Sequence, residues 1–266
     1  MLKIVVCVKA VPDPKEACKI KIDPATKTLL RCDVPMVINP LDRNALEAAL
    51  ALKAAREAHI VVLSMGPPEA GEIVKECLAL GADEGILLSD RMFGGADAFA
   101  TARTLAAGIE KIGEVDLVLC GMASSDGATE WVGPQIAVFL GAPVVTMVKE
   151  IVSTGTDGWE VKAEYENGYR RMRVMLPAVF TVTRDLNKPC TLSFSGIIKA
   201  RKKTITQWDF AALGVPETLV GVQGSPTIVT AMGTTNNTRD VVFIEGTREE
   251  KAEALVQKLA DAGLIG

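Results

Sequence analysis

The residues best suited to chemistry lie between Cys120 and Ala137, in the run CGMASSDGATEWVGPQIA. Gly121 and Gly127 allow a ligand close to the backbone, and Ser124, Ser125 and Thr129 offer hydroxyls. An apolar run precedes the loop and a helix-compatible run follows it, with Pro134 suited to a first helical turn. A strand that turns through such a loop into a helix aims backbone N–H groups outward, and the helix N-terminus adds about half a positive charge. The chemistry implied is phosphate binding. Asp126 would repel a phosphate, so a ribose hydroxyl or a loop N–H suits it better. The loop is neither GxGxxG nor GxxxxGK[ST], and a plain Gly/Ser connection whose Asp126 only caps the helix would use the same residues.

No other constellation supplies an acid, a base or a nucleophile. The single histidine, His59, stands where a helix gives way to an apolar strand, and packing or capping suits it better than catalysis. HExxH, GxSxG and Cys/His metal spacings are absent from the sequence. The six cysteines (7, 18, 32, 77, 120, 190) form no CxxC pair, which excludes an iron–sulfur site of that spacing and fits a reducing compartment. Any chemistry would therefore be carried by a bound cofactor.

The loop needs elements to position it. Continuous apolar runs at Lys3–Val8, Ile60–Met65, Gly85–Leu88 and Asp116–Cys120 alternate with helix-compatible segments at Asn44–Ala58, Glu69–Leu80 and Asp97–Ile112. That alternation predicts an α/β fold, a three-layer parallel sheet with helices on both faces, and such sheets bind ligands beyond the carboxyl ends of their strands. The loops selected by that rule are 9–13, 66–68, 89–96 and 121–133. The segment CKIKIDPATKTLLRCDVPMVINP predicts a β-hairpin turning at DPATKT, and GWEVKAEYENGYRRMRVML an antiparallel hairpin addition turning at Asn167-Gly168. PAVFTVT supplies one more buried strand. From Arg184 the alternation lapses, dividing the chain into an α/β nucleotide-binding domain (1–183) and an extended C-terminal arm (184–266). The arm ends in an amphipathic helix, with Leu255, Leu259 and Leu264 on or beside one stripe, stopped near Gly263.

The chain has 266 residues, 48% of them hydrophobic, which is ample for a core. Lys+Arg 29 against Asp+Glu 33 gives a net charge of -4, so no basic field exists for nucleic acid. No run of about 18 apolar residues suggests a membrane span. The first residues enter a β-type run directly, without a leader's character, so a cytoplasmic protein is expected.

Taken in order, the loops resemble the β subunit of electron-transferring flavoproteins across the whole chain. The marks are VVCVKAVPD (5–13), INPLDRNALEAAL (38–50), LSMGPPEA (63–70), LALGADEGILLSDRMFGGAD (78–97), the 121–133 loop, LPAVFTV (176–182), LNKP (186–189) and IIKARKK (197–203). The resemblance implies an adenine-nucleotide α-hydrolase-like fold in a heterodimer with a flavin-carrying α subunit, the C-terminal arm wrapping that partner. It implies nucleotide contacts at Cys7, Lys9, Asn39, Pro40, Leu41, Asp42, Ser64, Met65 and Gly66, with Asp97 and Thr101 near a flavin or nicotinamide. Across the loop it implies contacts at Gly121, Met122, Ala123, Ser124, Ser125, Asp126, Gly127, Ala128, Thr129 and Val132. The segment after Pro189 is similar to the family's recognition loop for an acyl-CoA dehydrogenase-type flavoprotein, with Phe194 as anchor, Leu192 as second choice, and Lys199 and Lys202 in the adjoining cationic cluster.

Within the family, DGxTxxVGP (126–134), FGGADAFAT (93–101) and GSPTIV (224–229) are similar to the electron-bifurcating group. That similarity implies FAD in this subunit, reduced by NADH as a transient donor, with ferredoxin or flavodoxin as a second acceptor. An ordinary member would hold a structural AMP here and act as a plain electron shuttle. A universal-stress-protein-like nucleotide sensor is a third possibility, which the long tail disfavours. The chain departs from the bifurcating pattern at Ala98, Ala123, Ala128, Trp131 and Cys190.

Overall fold

The computed structural model describes residues 1–19, 21–22, 29–30, 34–155, 158–230 and 241–265. Two compact units divide the chain, residues 1–230 and 231–266.

The first unit begins with β1 (Leu2–Val8), β2 (Ala10–Pro12), β3 (Lys21–Ile22), β4 (Leu29–Leu30) and β5 (Met36–Ile38). The alternation then runs α1 (Pro40–Ala55), β6 (Ala58–Met65), α2 (Gly71–Leu80), β7 (Glu84–Leu88), α3 (Ala98–Ile112), β8 (Leu117–Gly121) and α4 (Val132–Leu140). It is followed by β9 (Val144–Gly155), β10 (Gly158–Tyr165), β11 (Gly168–Val174), β12 (Ala178–Val182), α5 (Phe194–Ala200), β13 (Ile205–Trp208) and α6 (Phe210–Leu213).

One nine-stranded sheet has the order β11-β10-β9-β12-β8-β1-β6-β7-β13. Neighbours from β9 to β13 in that order are parallel, and β10 and β11 add antiparallel at one edge. The continuous apolar runs are explained by burial on both faces. In β1, Ile4, Val6 and Val8 join a core that includes Leu46 of α1 and Ile73 of α2, while Val5 and Cys7 join the core that includes Leu105 of α3 and Ile136 of α4. The result is the three-layer α/β architecture expected.

Several boundaries differ from the sequence expectation, each for a physical reason. Helix α1 starts at Pro40 rather than Asn44, because its first turn carries the buried Asp42, which hydropathy patterning treats as surface. The long strand β9 was not anticipated; it pairs with both β10 and β12. In the β10–β11 hairpin Tyr165 pairs with Gly168, so the turn is Glu166-Asn167 and the Asn167-Gly168 expectation is one residue late. Strands β3 and β4 pair antiparallel, while the turn residues 23–28 expected between them lie outside the described residues.

Alternation also resumes after Arg184. Helix α5 packs on α2 so closely that a Cβ on Gly196 would stand 2.2 Å from the Ala79 carbonyl oxygen. Strand β13 then extends the sheet beside β7. Thus residue 184 marks where hydropathy alternation lapses, whereas compact packing continues to 230.

In the second unit, α7 (Arg248–Asp261) is opened by a capping box of Thr247 and Glu250 and followed by Gly263 at φ 67. It buries none of its residues.

Candidate nucleotide site

Strand β1 pairs with β6 on one side and β8 on the other, and the chain reaches β8 only after building β6 and β7 outward. The loops leaving β1 and β8 therefore diverge, and a crevice opens beyond their carboxyl ends, where open α/β sheets bind ligands.

Helix α1 ties the two strand ends together. The Asp42 carboxylate accepts the Lys9 N–H through Oδ2 (2.8 Å) and the Gly121 N–H through Oδ1 (2.9 Å). Only glycine fits at 121, since a Cβ there would lie 2.6 Å from Asp42 Oδ1 and 2.6 Å from Leu41 Cβ. Burial of Asp42 pushes its carboxyl up to about 6 against the pull of hydrogen bonds from Asn39 and the Lys9 and Gly121 backbone and of the Lys9 charge. Asn39, the N-cap residue of α1, does not cap its own helix. Its side chain instead donates to the Ala123 carbonyl (2.8 Å) and accepts the Ser125 N–H (3.1 Å), strapping the loop down.

The loop closes on itself with equal economy. Ser124 accepts the Gly127 N–H at its hydroxyl (3.3 Å) and the Ala128 N–H at its carbonyl (2.9 Å). Lys9 Nζ donates to Asp126 Oδ1 (2.7 Å). Burial opposes ionisation of Asp126, but Lys9, as donor and as charge, together with Ser124 outweighs it and holds the carboxyl below the usual range. Asp126 is therefore neutralised within the protein rather than left to repel a phosphate. No side chain caps α4, whose first intrahelical bond runs from Gln135 N–H to Trp131 O. Its positive end is carried by the Val132 and Gly133 N–H groups, Pro134 having none. A Cβ on Gly133 would lie 2.4 Å from Thr181 Cγ2, so α4 begins hard against β12. At Gly127 a Cβ would meet only Ser124 Oγ, at 3.4 Å, and the loop is open there.

These donors fit a nucleotide phosphate: the uncapped N-terminus of α4 after β8, the Lys9 ammonium paired to Asp126 of the same loop and the exposed Thr129.

Other expected contacts fall into separate places. Cys7 is buried with its thiol pushed up to about 12 by that burial, so it packs rather than reacts. Ser64 is buried on β6 and its hydroxyl has no hydrogen-bond partner, Met65 is half-buried at the strand end, and the Gly66 N–H bonds to Leu88 O. Pro40 and Leu41 form the first turn of α1.

Asp97 caps α3 through Ala100 N–H (3.0 Å) and accepts both the N–H (3.0 Å) and hydroxyl (2.7 Å) of Thr227, while its own N–H donates to Ser225 Oγ (2.8 Å). Burial opposes these bonds without overcoming them, and the Asp97 carboxyl lies below its usual range. Thr101 sits half-buried in the first turn of α3. This cluster follows β7, two strands or roughly 10 Å from β1, and so stands apart from the 121–133 loop. Nothing in sequence spacing links residues 97 and 227; only the family mark GSPTIV draws notice to that segment.

The residues expected to recognise a partner lie on and beside α5. Phe194 is 79% exposed, Leu192 and Lys199 are exposed, and Ser193 caps the helix through Gly196 N–H. Lys202 is exposed just beyond the helix. The segment before it is held by α1, with Arg43 donating to Cys190 O (3.0 Å), Glu47 accepting Cys190 N–H (2.8 Å) and Asn44 bonding Asn187. One helix thus holds the 121–125 loop through its start and the 187–190 segment one turn on.

At the opposite, amino end of the strands lie two cavities, about 180 Å³ beside Gly113, Glu114 and Pro177, and about 330 Å³ beside Lys3, His59 and Trp208. There His59 Nε2 lies 3.0 Å from Glu84, a surface pairing. Among the described residues no group of three His, Cys, Asp or Glu is placed to hold a metal, and no helix is long and apolar enough to cross a membrane.

A three-layer α/β sheet with a strapped glycine loop at its switch point is the arrangement in which open α/β sheets bind ligands. The family model described as "Electron transfer flavoprotein domain" matches residues 26–213. A protein of Acetobacterium woodii, "Caffeyl-CoA reductase-Etf complex subunit CarD", is 44% identical over 99% of this chain and 100% of its own. "Electron transfer flavoprotein subunit beta" of Clostridium acetobutylicum is 42% identical over the same shares, and "Acryloyl-CoA reductase electron transfer subunit gamma" of Anaerotignum propionicum is 38% identical, again over 99% and 100%. The chain belongs to the electron transfer flavoprotein family, among its β subunits.

Proposed function

We propose that this chain is the β subunit of an electron-transferring flavoprotein heterodimer, holding FAD in the 121–132 loop and serving an enoyl-CoA-reducing flavoprotein of the acyl-CoA dehydrogenase type. The observation that carries the nucleotide assignment is the clamp: Asp42 and Asn39 fix the ends of β1 and β8 and the loop between them, leaving the uncapped start of α4 facing out. A pyrophosphate suits that helix end, and the Lys9 ammonium is tied to Asp126 of the same loop. When bound, FAD supplies hydride acceptance from NADH and one-electron delivery, to the α-subunit flavin on one side and to ferredoxin or flavodoxin on the other. The open backbone at Gly127 favours FAD over AMP by leaving space beside the pyrophosphate.

Two relatives are named for reductases of caffeyl-CoA and acryloyl-CoA, both α,β-unsaturated thioesters. We carry that substrate class to the partner enzyme, not to this chain, which presents Phe194 and the adjoining lysines as its docking face. In this assignment Asp97, tied to Thr227, shapes the flavin-side wall.

The test is stoichiometry. The chain is co-expressed with its α subunit, the heterodimer denatured, and released FAD, FMN and AMP are counted. Two FAD per heterodimer, with NADH bleaching both, is expected. One FAD and one AMP, with no NADH bleaching, assigns the loop to a structural nucleotide and the protein to plain electron shuttling.

A further inference from the structure

The chain has three tryptophans. Trp159 is 2% exposed, against Phe180 and under the Arg56 guanidinium, and Trp208 takes the Lys111 ammonium over its ring. Trp131 is 65% exposed and has no ring or cation partner among the described residues. It occupies the N-cap of α4, where serine, threonine or aspartate would ordinarily close the helix, and its side chain does no such work. The backbone delivering it is unusual: Ala128 (φ 46) and Glu130 (φ 60) are both left-handed without being glycine, a conformation that surroundings must enforce. A flat apolar ring thus stands where a capping side chain would ordinarily sit, immediately before the N–H groups of Val132 and Gly133.

Resting on the nucleotide assignment above, we infer that Trp131 is the stacking surface for the planar heteroaromatic ring of the nucleotide bound at this loop. A phosphate at the start of α4 is joined to its base or flavin through a ribose or ribityl linker, which places a ring within reach of the residue preceding the helix. Indole stacking is tolerant of ring identity, so adenine and isoalloxazine are both candidates, and the two are separable by ligand choice.

The test uses the full chain, alone and with its α subunit, titrated with AMP, FMN and FAD by calorimetry, with indole accessibility followed by acrylamide quenching. With Trp131 stacked, ligand shields the accessible emission component. W131A loses that component and binds on the order of ten-fold more weakly, whereas W131F keeps most of the affinity, as expected for an aromatic platform. Val138→Ala, an exposed site on the same helix, leaves both readouts unchanged. Shielding by AMP identifies adenine as the stacked ring, and shielding by FMN but not AMP identifies isoalloxazine. Equal affinities of W131A and wild type, with acrylamide access unchanged by ligand, overturn the inference while leaving the nucleotide site standing. Shielding on addition of the α subunit without nucleotide overturns it in favour of a protein contact. Failure of every nucleotide to bind overturns the site assignment itself.

Discussion

Replacing Asp42 by Asn separates the clamp's effect on the fold from its effect on the site. The carboxyl moves from 3.8 to about 6 on folding. At about 1.4 kcal/mol per unit, its ionised form costs the native state roughly 3 kcal/mol at neutral pH. Because the folded value is raised, the protonated carboxyl favours folding below pH 4, and that advantage is lost as pH climbs to 6. An amide carries no such charge, yet it can accept only one of the two N–H groups and turns its NH₂ towards the other. Leaving a buried donor unpaired costs about 1–3 kcal/mol. At pH 7 the two effects offset to within about 2 kcal/mol.

The stability of D42N relative to wild type should therefore rise by about 3 kcal/mol between pH 4 and 7, mostly below pH 6, and stay flat above. Urea unfolding of both proteins at pH 4.5, 5.5, 6.5 and 7.5 measures this. Nucleotide affinity at pH 7.5 should fall at least about ten-fold, since an end of β1 or β8 is released. A stability difference independent of pH would refute the buried charge, and unchanged affinity would refute the clamp.

Gly121→Ala, whose Cβ would stand 2.6 Å from Asp42 Oδ1 and 2.8 Å from the Leu41 carbonyl carbon, should cost about 1–3 kcal/mol and weaken nucleotide binding, seen in thermal melts and calorimetry. Asp97→Ala removes the α3 cap and the Thr227 anchor; a loss of about 1–2 kcal/mol is expected, with faster proteolysis around residues 225–230. Phe194→Asp, at a residue already 79% exposed, should leave melting within about 0.5 kcal/mol of wild type while sharply slowing electron exchange with the proposed acyl-CoA dehydrogenase-type partner. Slowed exchange accompanied by loss of nucleotide would instead make Phe194 structural.

The sequence by itself determined the alternation of buried strands and helices, the hairpin at one edge, and the loop that could take a phosphate. Those features are local: apolar runs, turn residues and glycine spacing act within a few residues, and periodicity records them. Asp97 could likewise be placed at a helix start, since capping is local. Only the tertiary structure decided that Asp42, which the resemblance offered as a nucleotide contact, is buried to hold Lys9 and Gly121, residues 33 and 79 positions away. It alone paired Asp97 with Thr227 across 130 positions and brought β13 back to the sheet after a stretch where alternation had lapsed. Hydropathy cannot register such choices, because the free energy of burying a polar group depends on partners the distant chain supplies. The exposure of Trp131 belongs to the same class: its position is written in the sequence, while its lack of a ring or cation partner among the described residues is a property of the packed sheet and helices alone.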